Sequence, residues 1–418
     1  MAVDNVRTVS NKSVSLFSSA GIGDLGIEYG CKLPVCVFSE LKADRAALLE
    51  KNFPNAKVIV GDIWGKVDDI VNVTNTELSG NPPKLVTLSP PCQGMSSNGK
   101  GKMNSARKKG KKPKYDSRNL LILPSLEIVE KLLPQYFLIE NALIMMDTEI
   151  LVNKKPITIG KVIEKRLSKN YKIHSFKLDF AKYGVPQFRL RSITIGIYHP
   201  NNKSKISYEI PDWFDSGKDS EIITIRKALC RHTRTSKSDP YHQAVTHNDE
   251  MTKWISNISP YSGQSAHFNS CEFCDAPAPE KGVVFCQNPS CGKLLPRPNK
   301  DGRAIIGFKT SYKRFDPEKP SSTVTMNSGG PSSDTQIHYS EDRTNTIREV
   351  MILTTFLYRI ISKRPWPWIG KYSFEGHITK KQLTQGKNII RDAMGEAIPP
   401  LAMYRMITSL FNWGEKNE

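Results

Sequence analysis

The sequence lacks any long apolar stretch. No run in its 418 residues approaches the roughly 18 to 20 apolar residues that a helix needs to cross a bilayer. Its first residues are acidic and polar, without the apolar core of a secretory signal. Membrane-spanning and secreted classes are therefore not expected, and the sequence predicts a cytoplasmic protein.

Acidic residues are scarce relative to basic ones. The chain has 60 Lys and Arg against 41 Asp and Glu, which gives a net charge of +19. A generally basic proteome would be one explanation, but the charge is concentrated in residues 100–114, whereas 140–151 and 208–221 are neutral or acidic. This distribution favours a polyanionic partner such as a nucleic acid.

Cysteine is also sparse, and its placement is uneven. Of the 8 cysteines, four lie in one short segment, as CEFC and, eleven residues later, CQNPSCGK. Cys271, Cys274, Cys286 and Cys291 have the spacing of a tetrahedral four-cysteine zinc site. Reduced pairs or two disulfides are the alternatives, and the absence of a secretion signal favours the metal.

Strand-like and helix-like segments alternate along the first half, which indicates an α/β fold with a mostly parallel sheet. Strands are predicted at Ser13–Phe17, Val35–Ser39, Lys57–Val60, Leu85–Leu88, Tyr136–Ile139, Lys172–Leu178 and Arg191–Ile197. Helices are predicted at Ala43–Asn52, Leu120–Leu133, Lys161–Leu167, Thr346–Ile361 and Pro400–Phe411. Residues 201–312 lose this rhythm and are expected to form an inserted second domain, with 1–200 and 313–418 forming the first.

The ends of the first three strands suit a nucleoside ligand. The first strand leads into a turn of small residues that lets a ligand approach the backbone. Glu40 ends the second strand, where a carboxylate can accept both hydroxyls of a ribose. Asp62 and Ile63 follow the third strand, where they can accept from an adenine amino group and cover its ring. Taken singly, these residues would be surface carboxylates or core aliphatics.

The fourth and fifth strand ends carry reactive side chains. Two prolines precede Cys92 and hold its thiol rigidly at the sheet edge. A lone cysteine is otherwise usually a small buried hydrophobe. Glu140 and Asn141 end the fifth strand, so a carboxylate can approach Cys92, although a helix-capping pair is an alternative.

Three polar residues alternate near the last strand. Gln187, Arg189 and Arg191 would share one strand face, where two guanidinium groups and an amide suit phosphate and base-edge contacts. A solvated strand face is the alternative.

These motifs together resemble those of the DNA (cytosine-5)-methyltransferases. The LFSSAGIG turn, PPCQ, EN, QxRxR and a late MGEAIPP occur in that family's order and span nearly all of the chain outside 201–312. The resemblance implies a Rossmann-like S-adenosylmethionine-dependent methyltransferase domain. It also implies that the smaller inserted domain recognises the target and contains the zinc knuckle.

The resemblance also implies residue roles. Cys92 would add to C6 of a flipped cytosine, Glu140 would bond N3 and the exocyclic amine, Arg191 would contact O2, and Arg189 would help to position the phosphate and the pocket. The implied contacts to S-adenosyl-L-methionine are Phe17, Gly21, Gly23, Glu40, Asp62, Ile63, Asn119, Glu396 and Ile398.

The DNA-facing elements follow from the same resemblance. The basic loop 94–114 would close over DNA, with phosphate contacts that depend on salt. The implied DNA contacts are Gln93, Ser96, Lys100, Lys102, Arg107 and Gln187. Arg314 and Arg343 would be framework residues.

Several positions depart from the family pattern. Ser15 stands where an aspartate is common, Ser19 and Ile22 replace glycines, Ala142 replaces a valine, and Glu396 replaces an asparagine. These changes leave the catalytic set intact and bear on the geometry of the cofactor pocket.

The expected function is sequence-specific cytosine methylation of double-stranded DNA within a restriction–modification system, with a cognate endonuclease as functional partner. The enzyme is expected to act as a monomer at the nucleoid. Two alternatives remain open from the sequence: an RNA (tRNA) methyltransferase of the same fold, and a non-catalytic zinc-containing nucleic-acid binder.

Overall fold

The protein is described from a computed structural model. The described residues are 7–91, 95, 115–201, 204–218, 220–230, 238–274, 276–277, 280–332, 334–356, 372–385 and 388–417.

One large sheet organises the molecule. Its strands are β1 (Ser10–Leu16), β2 (Val35–Glu40), β3 (Lys57–Val60), β4 (Pro83–Leu88), β5 (Tyr136–Asn141), β8 (Tyr171–Asp179) and β9 (Leu190–Tyr198). They are arranged in the order β3-β2-β1-β4-β5-β9-β8. Strands β3, β2, β1, β4 and β5 are parallel to one another. Strand β9 runs antiparallel to both of its neighbours, β5 and β8. Because the strand order reverses between β1 and β4, the carboxyl ends of these strands form the crevice where ligands of open α/β sheets bind.

Two hairpins, a set of α-helices and a few short 3-10 or π-helical turns accompany the sheet. The hairpins are β6 (Glu149–Val152) with β7 (Lys155–Thr158), and β10 (Asn299–Lys300) with β11 (Arg303–Ala304). The helices are α1 (Ala43–Asn52), α2 (Val67–Glu77), α3 (Ile122–Leu132), α4 (Ile159–Leu167), α5 (Ile225–Leu229), α6 (Asp249–Ser256), α7 (Ile347–Leu353), α8 (Lys380–Thr384), α9 (Ile389–Glu396) and α10 (Pro400–Asn417). No helix within the described ranges is both long enough and apolar enough to span a bilayer.

The central strands of the sheet bury both faces, as expected of a sheet covered by helices on both sides, whereas the edge strand β3 is partly exposed. In β5, Phe137 and Ile139 face the core formed with α2, α3 and α4. Leu138, one position away, faces the core formed with α10. Burying each such side chain contributes roughly 1.5–3 kcal/mol. This two-sided packing fixes where every strand ends, and therefore where the site residues lie.

The last helix packs closely because of one glycine. A Cβ added at Gly26 would lie 2.2 Å from the carbonyl oxygen of Pro400. Only glycine therefore lets the turn after β1 touch the start of α10. This contact places residues 396–398 beside the carboxyl end of β1.

The framework role expected of Arg314 and Arg343 agrees with the structure. The buried guanidinium of Arg314 donates to the carbonyls of Ile255 (3.1 Å) and Ile258 (3.0 Å). Arg343 forms a two-pronged ion pair with the fully buried Glu349, with N–O distances of 2.8 and 2.7 Å.

The alternation of strands and helices ends near residue 201, but residues beyond it still pack on the sheet. Ser207 pairs with β8 through a bridge to His174. Ile206, Phe214 and Leu229 belong to the same cores as the sheet and its helices. A separate small core forms later, from Trp254, Ile255, Ile258, Ala266, Tyr312 and Ile337. Residues 206–229 therefore pack with the sheet and its helices, and the predicted domain boundary at residue 201 stays a prediction.

Candidate active site

The side-chain amide of Asn141 joins the ends of β4 and β5 through hydrogen bonds. The Nδ2 of Asn141 donates to the carbonyl of Pro90 at 2.9 Å, and its Oδ1 accepts from the backbone N–H of Ala142 at 2.8 Å. Asn141 is buried, so both bonds lie away from water, where a lost bond is costly. The Pro90-Pro91 turn is thereby held against the residue that follows Glu140. Cys92 itself lies outside the described residues.

Glu140 is buried beside Arg191. The Nε of Arg191 lies 2.8 Å from Oε1 of Glu140, at ion-pair distance. Oε1 has no hydrogen bond of good geometry within the described chain, so the contact is charge pairing without a directed bond. Strand pairing creates the contact. Glu140 on β5 faces Ile193 on β9, and Arg191 lies two residues before Ile193 in the same strand. A carboxylate and a guanidinium are thus presented together next to the turn that leads into Cys92.

Gln187 and Arg189 do share a face, as predicted, but that face is buried. The Nε2 of Gln187 donates to the carbonyl of Leu353 (3.2 Å), and its Oε1 accepts from the N–H of Val324 (3.0 Å). Residues 321–325 and α7 cover the side chain, and the predicted contact of Gln187 with DNA stays a prediction.

Arg189 is likewise enclosed, and donates to the carbonyls of Val324 (3.2 Å) and Gly395 (3.4 Å). It ties the start of β9 to the segment that carries Glu396, which makes it a positioning residue. Its predicted role in the catalytic pocket stays a prediction.

The turn after β1 is held by Glu40. The two carboxylate oxygens accept from the N–H groups of Ser19 (2.7 Å) and Lys42 (2.9 Å). Phe17 and Ser19 have φ values of 58° and 48°, a conformation that costs non-glycine residues about 1–3 kcal/mol each. Glu40 stabilises that strained turn, and each oxygen keeps a lone pair that could accept a ligand hydroxyl.

Four of the predicted cofactor residues line one cleft at the ends of β1 and β4. These are Phe17, Gly23, Glu396 and Ile398. A Cβ at Gly23 would lie 3.3 Å from the carbonyl oxygen of Ile398, so the two segments touch through the glycine.

Gly21 does not line this cleft. It has a φ of +72°, and a Cβ there would lie 2.6 Å from the ring of Phe53 and 2.7 Å from Leu49. Its small size serves the turn and its packing on α1, and its contact with the cofactor stays a prediction.

Asp62, Ile63 and Asn119 are not among the residues that line that cleft. Asp62 accepts from the N–H of Trp64 at 3.2 Å and begins the short turn that follows β3, while Ile63 is buried in the core. Asn119 is also buried, and its Oδ1 has no partner in the described part of the chain. Such an atom normally costs about 1–3 kcal/mol unless a ligand or water meets it.

Glu396 lies at the centre of a charge network. Its Oε2 accepts from Ser19 Oγ at 2.7 Å, and its Oε1 pairs with Lys42 Nζ at 2.9 Å. The Nε of the buried Arg45 lies 3.4 Å from Oε2. Burial opposes ionisation of Glu396, but Arg45, Ser19 and Lys42 together hold its pKa below the ordinary value. The departure from asparagine at this position thus comes with two cations that compensate it.

Sequence reasoning overlooked Asp24. It lines the same cleft, and burial raises its pKa to about 7, against the opposing hydrogen bond from Ser15. The signal was present in the sequence, because serine stands at position 15 where an aspartate is common and a carboxylate follows nine residues later.

Leu41 and Trp64 were overlooked as well. They follow Glu40 and Ile63 at neighbouring strand ends, and expose 65% and 50% of their surface. Large exposed apolar groups at this edge offer cover for a flat ring.

The four clustered cysteines meet in space. Their Sγ atoms all lie within 4.8 Å of one another, with 3.7 Å between Cys271 and Cys291 and 3.5 Å between Cys274 and Cys286. Four thiolates around a zinc ion would be about 3.8 Å apart, whereas a disulfide is about 2 Å long. The arrangement fits a tetrahedral metal site and not two disulfides.

Comparisons with known proteins agree with this architecture. A family model described as C-5 cytosine-specific DNA methylase matches residues 11–411. The type II methyltransferase M1.HgaI of Avibacterium volantium is 27% identical over 416 residues, covering 96% of this chain and 98% of that protein. The type II methyltransferase M1.HphI of Haemophilus parahaemolyticus is 23% identical over 347 residues, covering 82% and 77%. The S. pombe Dnmt2 methyltransferase structure is similar in fold, with a TM-score of 0.55 at 15% identity over 97% and 99% of the two chains.

Replacing Glu396 with Asn should lower the free energy of unfolding by about 1–3 kcal/mol, because Arg45 would be left buried with weaker compensation. Adding Arg45→Met to Glu396→Asn should recover part of that loss, since the uncompensated charge is then removed. Chemical denaturation of both single variants and the double variant measures the coupling. Additive losses would contradict the pairing.

Asp24 should make stability depend on pH. Its pKa is about 7 in the folded state against 3.8 ordinarily, so the folded state retains a proton that the unfolded state releases. The stabilising contribution is complete below about pH 4, falls as pH rises towards 7, and is constant above. Asp24→Asn should therefore gain stability relative to the wild type across this window, by up to several kcal/mol, as each pKa unit corresponds to about 1.4 kcal/mol. Asp301→Asn, at an exposed turn, serves as the control, and parallel pH profiles for all three proteins would refute the assignment.

Proposed function

The chain belongs to the family of C-5 cytosine-specific DNA methylases, and we propose that it methylates carbon 5 of a cytosine flipped out of duplex DNA, with Cys92 as nucleophile. The observation that carries this mechanism is the juxtaposition at the sheet edge of the Pro90-Pro91 turn, held by Asn141, and the Glu140–Arg191 pair.

The residues divide the chemistry between them. The Cys92 thiolate would add to C6, and the electron pair displaced from the 5,6 double bond makes C5 nucleophilic. Glu140 would bond N3 and the exocyclic amine and stabilise the change in charge on the ring during this addition. Arg191, already paired with Glu140, would reach O2 on the same side. After methyl transfer, loss of the C5 proton to a base and expulsion of the thiolate restore the double bond and free the enzyme.

S-adenosylmethionine would supply the methyl group as an electrophilic sulfonium. The described residues fit such a ligand, since Glu40 retains lone pairs for ribose hydroxyls and Asn119 has an unpartnered buried oxygen. Trp64 and Leu41 offer apolar cover for the adenine. Glu396 and Asp24 place carboxyl groups in the cleft next to Phe17, where the cationic end of the cofactor would bind.

Sequence-specific action within a restriction–modification system is supported by the relatives, which are named type II methyltransferases. The net charge of +19 suits double-stranded DNA as the substrate. The expected DNA contacts Gln93, Ser96, Lys100, Lys102 and Arg107 lie outside the described residues. Monomeric action in the cytoplasm and functional pairing with an endonuclease remain part of the proposal.

The cysteine cluster would bind one structural zinc ion through Cys271, Cys274, Cys286 and Cys291. All four positions are taken by thiolates, so the site is closed, as structural sites are. Apart from Leu295, the small core around it contains almost only the cysteines themselves, which makes the metal the main support of the knuckle.

Expression in a methylation-free host should protect cytosines within one short recurring plasmid sequence, as measured by bisulfite sequencing. Cys92→Ala should abolish this protection entirely, because no thiolate remains to activate C5. Cys230→Ala, which removes an exposed cysteine, should leave the pattern unchanged. Full conversion in all three strains, with soluble protein present, would overturn the DNA assignment and direct the search to the RNA fraction.

Purified protein should contain about one zinc ion per chain by elemental mass spectrometry. Cys274→Ser together with Cys286→Ser should remove the metal and lower the thermal stability of the knuckle, whereas Cys230→Ser should leave both unchanged. The site would be contradicted if removal of the metal from wild-type protein left hydrogen exchange across residues 271–295 unchanged.

A further inference from the structure

A second cavity, of about 620 Å³, lies at the base of the cysteine knuckle. Its lining comes from two sources: residues 263–270, just before the first cysteine, and the lysines Lys281, Lys309 and Lys313. None of the strand-edge residues line it, so it is distinct from the cofactor cleft.

The charge of this cavity has one sign. Three lysines line it, and none of the described carboxylates does. Asp316, which lies against the lining residue Gly263, is paired with Lys319 at 2.7 Å. Lys281 donates to the carbonyl of Phe308 at 3.3 Å, which fixes the ammonium group at the mouth. A polyanion is the ligand that this lining favours.

His267 gives the cavity a buried polar group without a partner. The side chain is 4% exposed, and its Nε2 makes no hydrogen bond within the described ranges. Its ring is held edge-on against Tyr312, with centroids 5.5 Å apart. Burial, helped by Lys281 and Arg297, lowers the pKa of His267 to about 4, so the imidazole is neutral at pH 7. A neutral, rigid imidazole has one donor and one acceptor, which is the chemistry of a base-edge contact.

Exposed aromatic surface adjoins this histidine. Phe268, in the same short turn Ala266–Phe268, exposes 48% of its surface and lines the cavity. Phe308, next to Lys309, exposes 41%. Aromatic groups among lysines suit contacts with bases or thymine methyl groups beside a phosphate backbone.

The knuckle fixes the geometry of the cavity through Arg297. This buried side chain donates from Nε to the carbonyl of Asn269 at 2.8 Å, and from Nη1 to the carbonyl of Val283 at 2.9 Å. It therefore connects the turn that bears His267 to the loop that bears Lys281, between the two cysteine pairs. Ordering of the knuckle is thereby coupled to the placement of a cavity lysine.

We propose that this cavity is where the enzyme reads its DNA sequence: the three lysines bind flanking phosphates, His267 contacts one base edge, and Phe268 packs against the adjoining base. The inference rests on the proposed methylation of DNA and adds to it the residues that determine specificity. It also gives the metal knuckle a role, which is to hold the reading surface in shape.

The test uses full-length protein and a plasmid library in which the wild-type site is varied at every position, with methylation read by bisulfite sequencing. His267→Ala and Phe268→Ala should each relax discrimination at one or two neighbouring base pairs by about 10- to 100-fold. Affinity for the cofactor should not change. Lys309→Ala should instead weaken binding to all sequences alike. The slope of log affinity against log salt concentration should become shallower by about one, the value for one lost phosphate contact. Lys300→Ala, on the exposed β10 strand, is the matched control.

The outcomes are distinguishable. If wild-type protein methylates no DNA, the proposed function itself fails. If wild-type protein methylates a defined site and both Phe268→Ala and His267→Ala keep its sequence profile, the reading surface lies elsewhere and only this inference is overturned. Should His267→Ala fail to fold, as judged by thermal melting, the half-exposed Phe268 and Lys309 decide the question.

Discussion

The hydrogen bond from Asn141 to the carbonyl of Pro90 is the contact on which the active-site geometry depends. It joins the ends of β4 and β5 below the surface, where no water competes for either group. That bond holds the double-proline turn at the end of β4 against the end of β5. The same strand, β5, places Glu140 against Arg191 of β9. The Pro90-Pro91 turn, the Glu140 carboxylate and the Arg191 guanidinium are therefore positioned by the paired strands and the Asn141 bond.

The cofactor edge illustrates how a change of charge is accommodated. Burial raises the pKa of Glu40, and repulsion from the carboxylate of Glu396 adds to that rise. Lys42 and Arg45, both from the segment that follows Glu40, pair with Glu396 and offset the repulsion. Ser19 bridges the two carboxylates by bonding one through its N–H and the other through its hydroxyl. The departures at positions 19 and 396 are thus structurally linked, and the polar contacts between them connect the first turn of the chain to α9.

Much of the sheet could be predicted from the sequence, because apolar runs of four to nine residues between turns leave little choice but buried strands. Helix α1 was predicted with its observed bounds, whereas α2 was overlooked, since its polar residues mask a narrow apolar stripe of Val67, Ile70 and Val71. The face shared by Gln187 and Arg189 was predicted, but not its burial. Alternation reveals which residues share a face, whereas what covers the face is decided by residues 321–325, far along the chain. The charge network of Glu396 was unpredictable for the same reason.

The most direct measurement is covalent trapping on plasmid DNA that contains 5-aza-2′-deoxycytidine in place of cytosine. In the presence of S-adenosylmethionine, the account predicts a complex that survives denaturation, with the DNA-linked peptide containing Cys92 by mass spectrometry. Glu140→Gln should form the same complex far more slowly, because the ring is then less activated for addition. A complex linked through any other residue, or methylation of ordinary DNA without any trapped complex, would contradict the central claim that Cys92 at the end of β4 is the nucleophile.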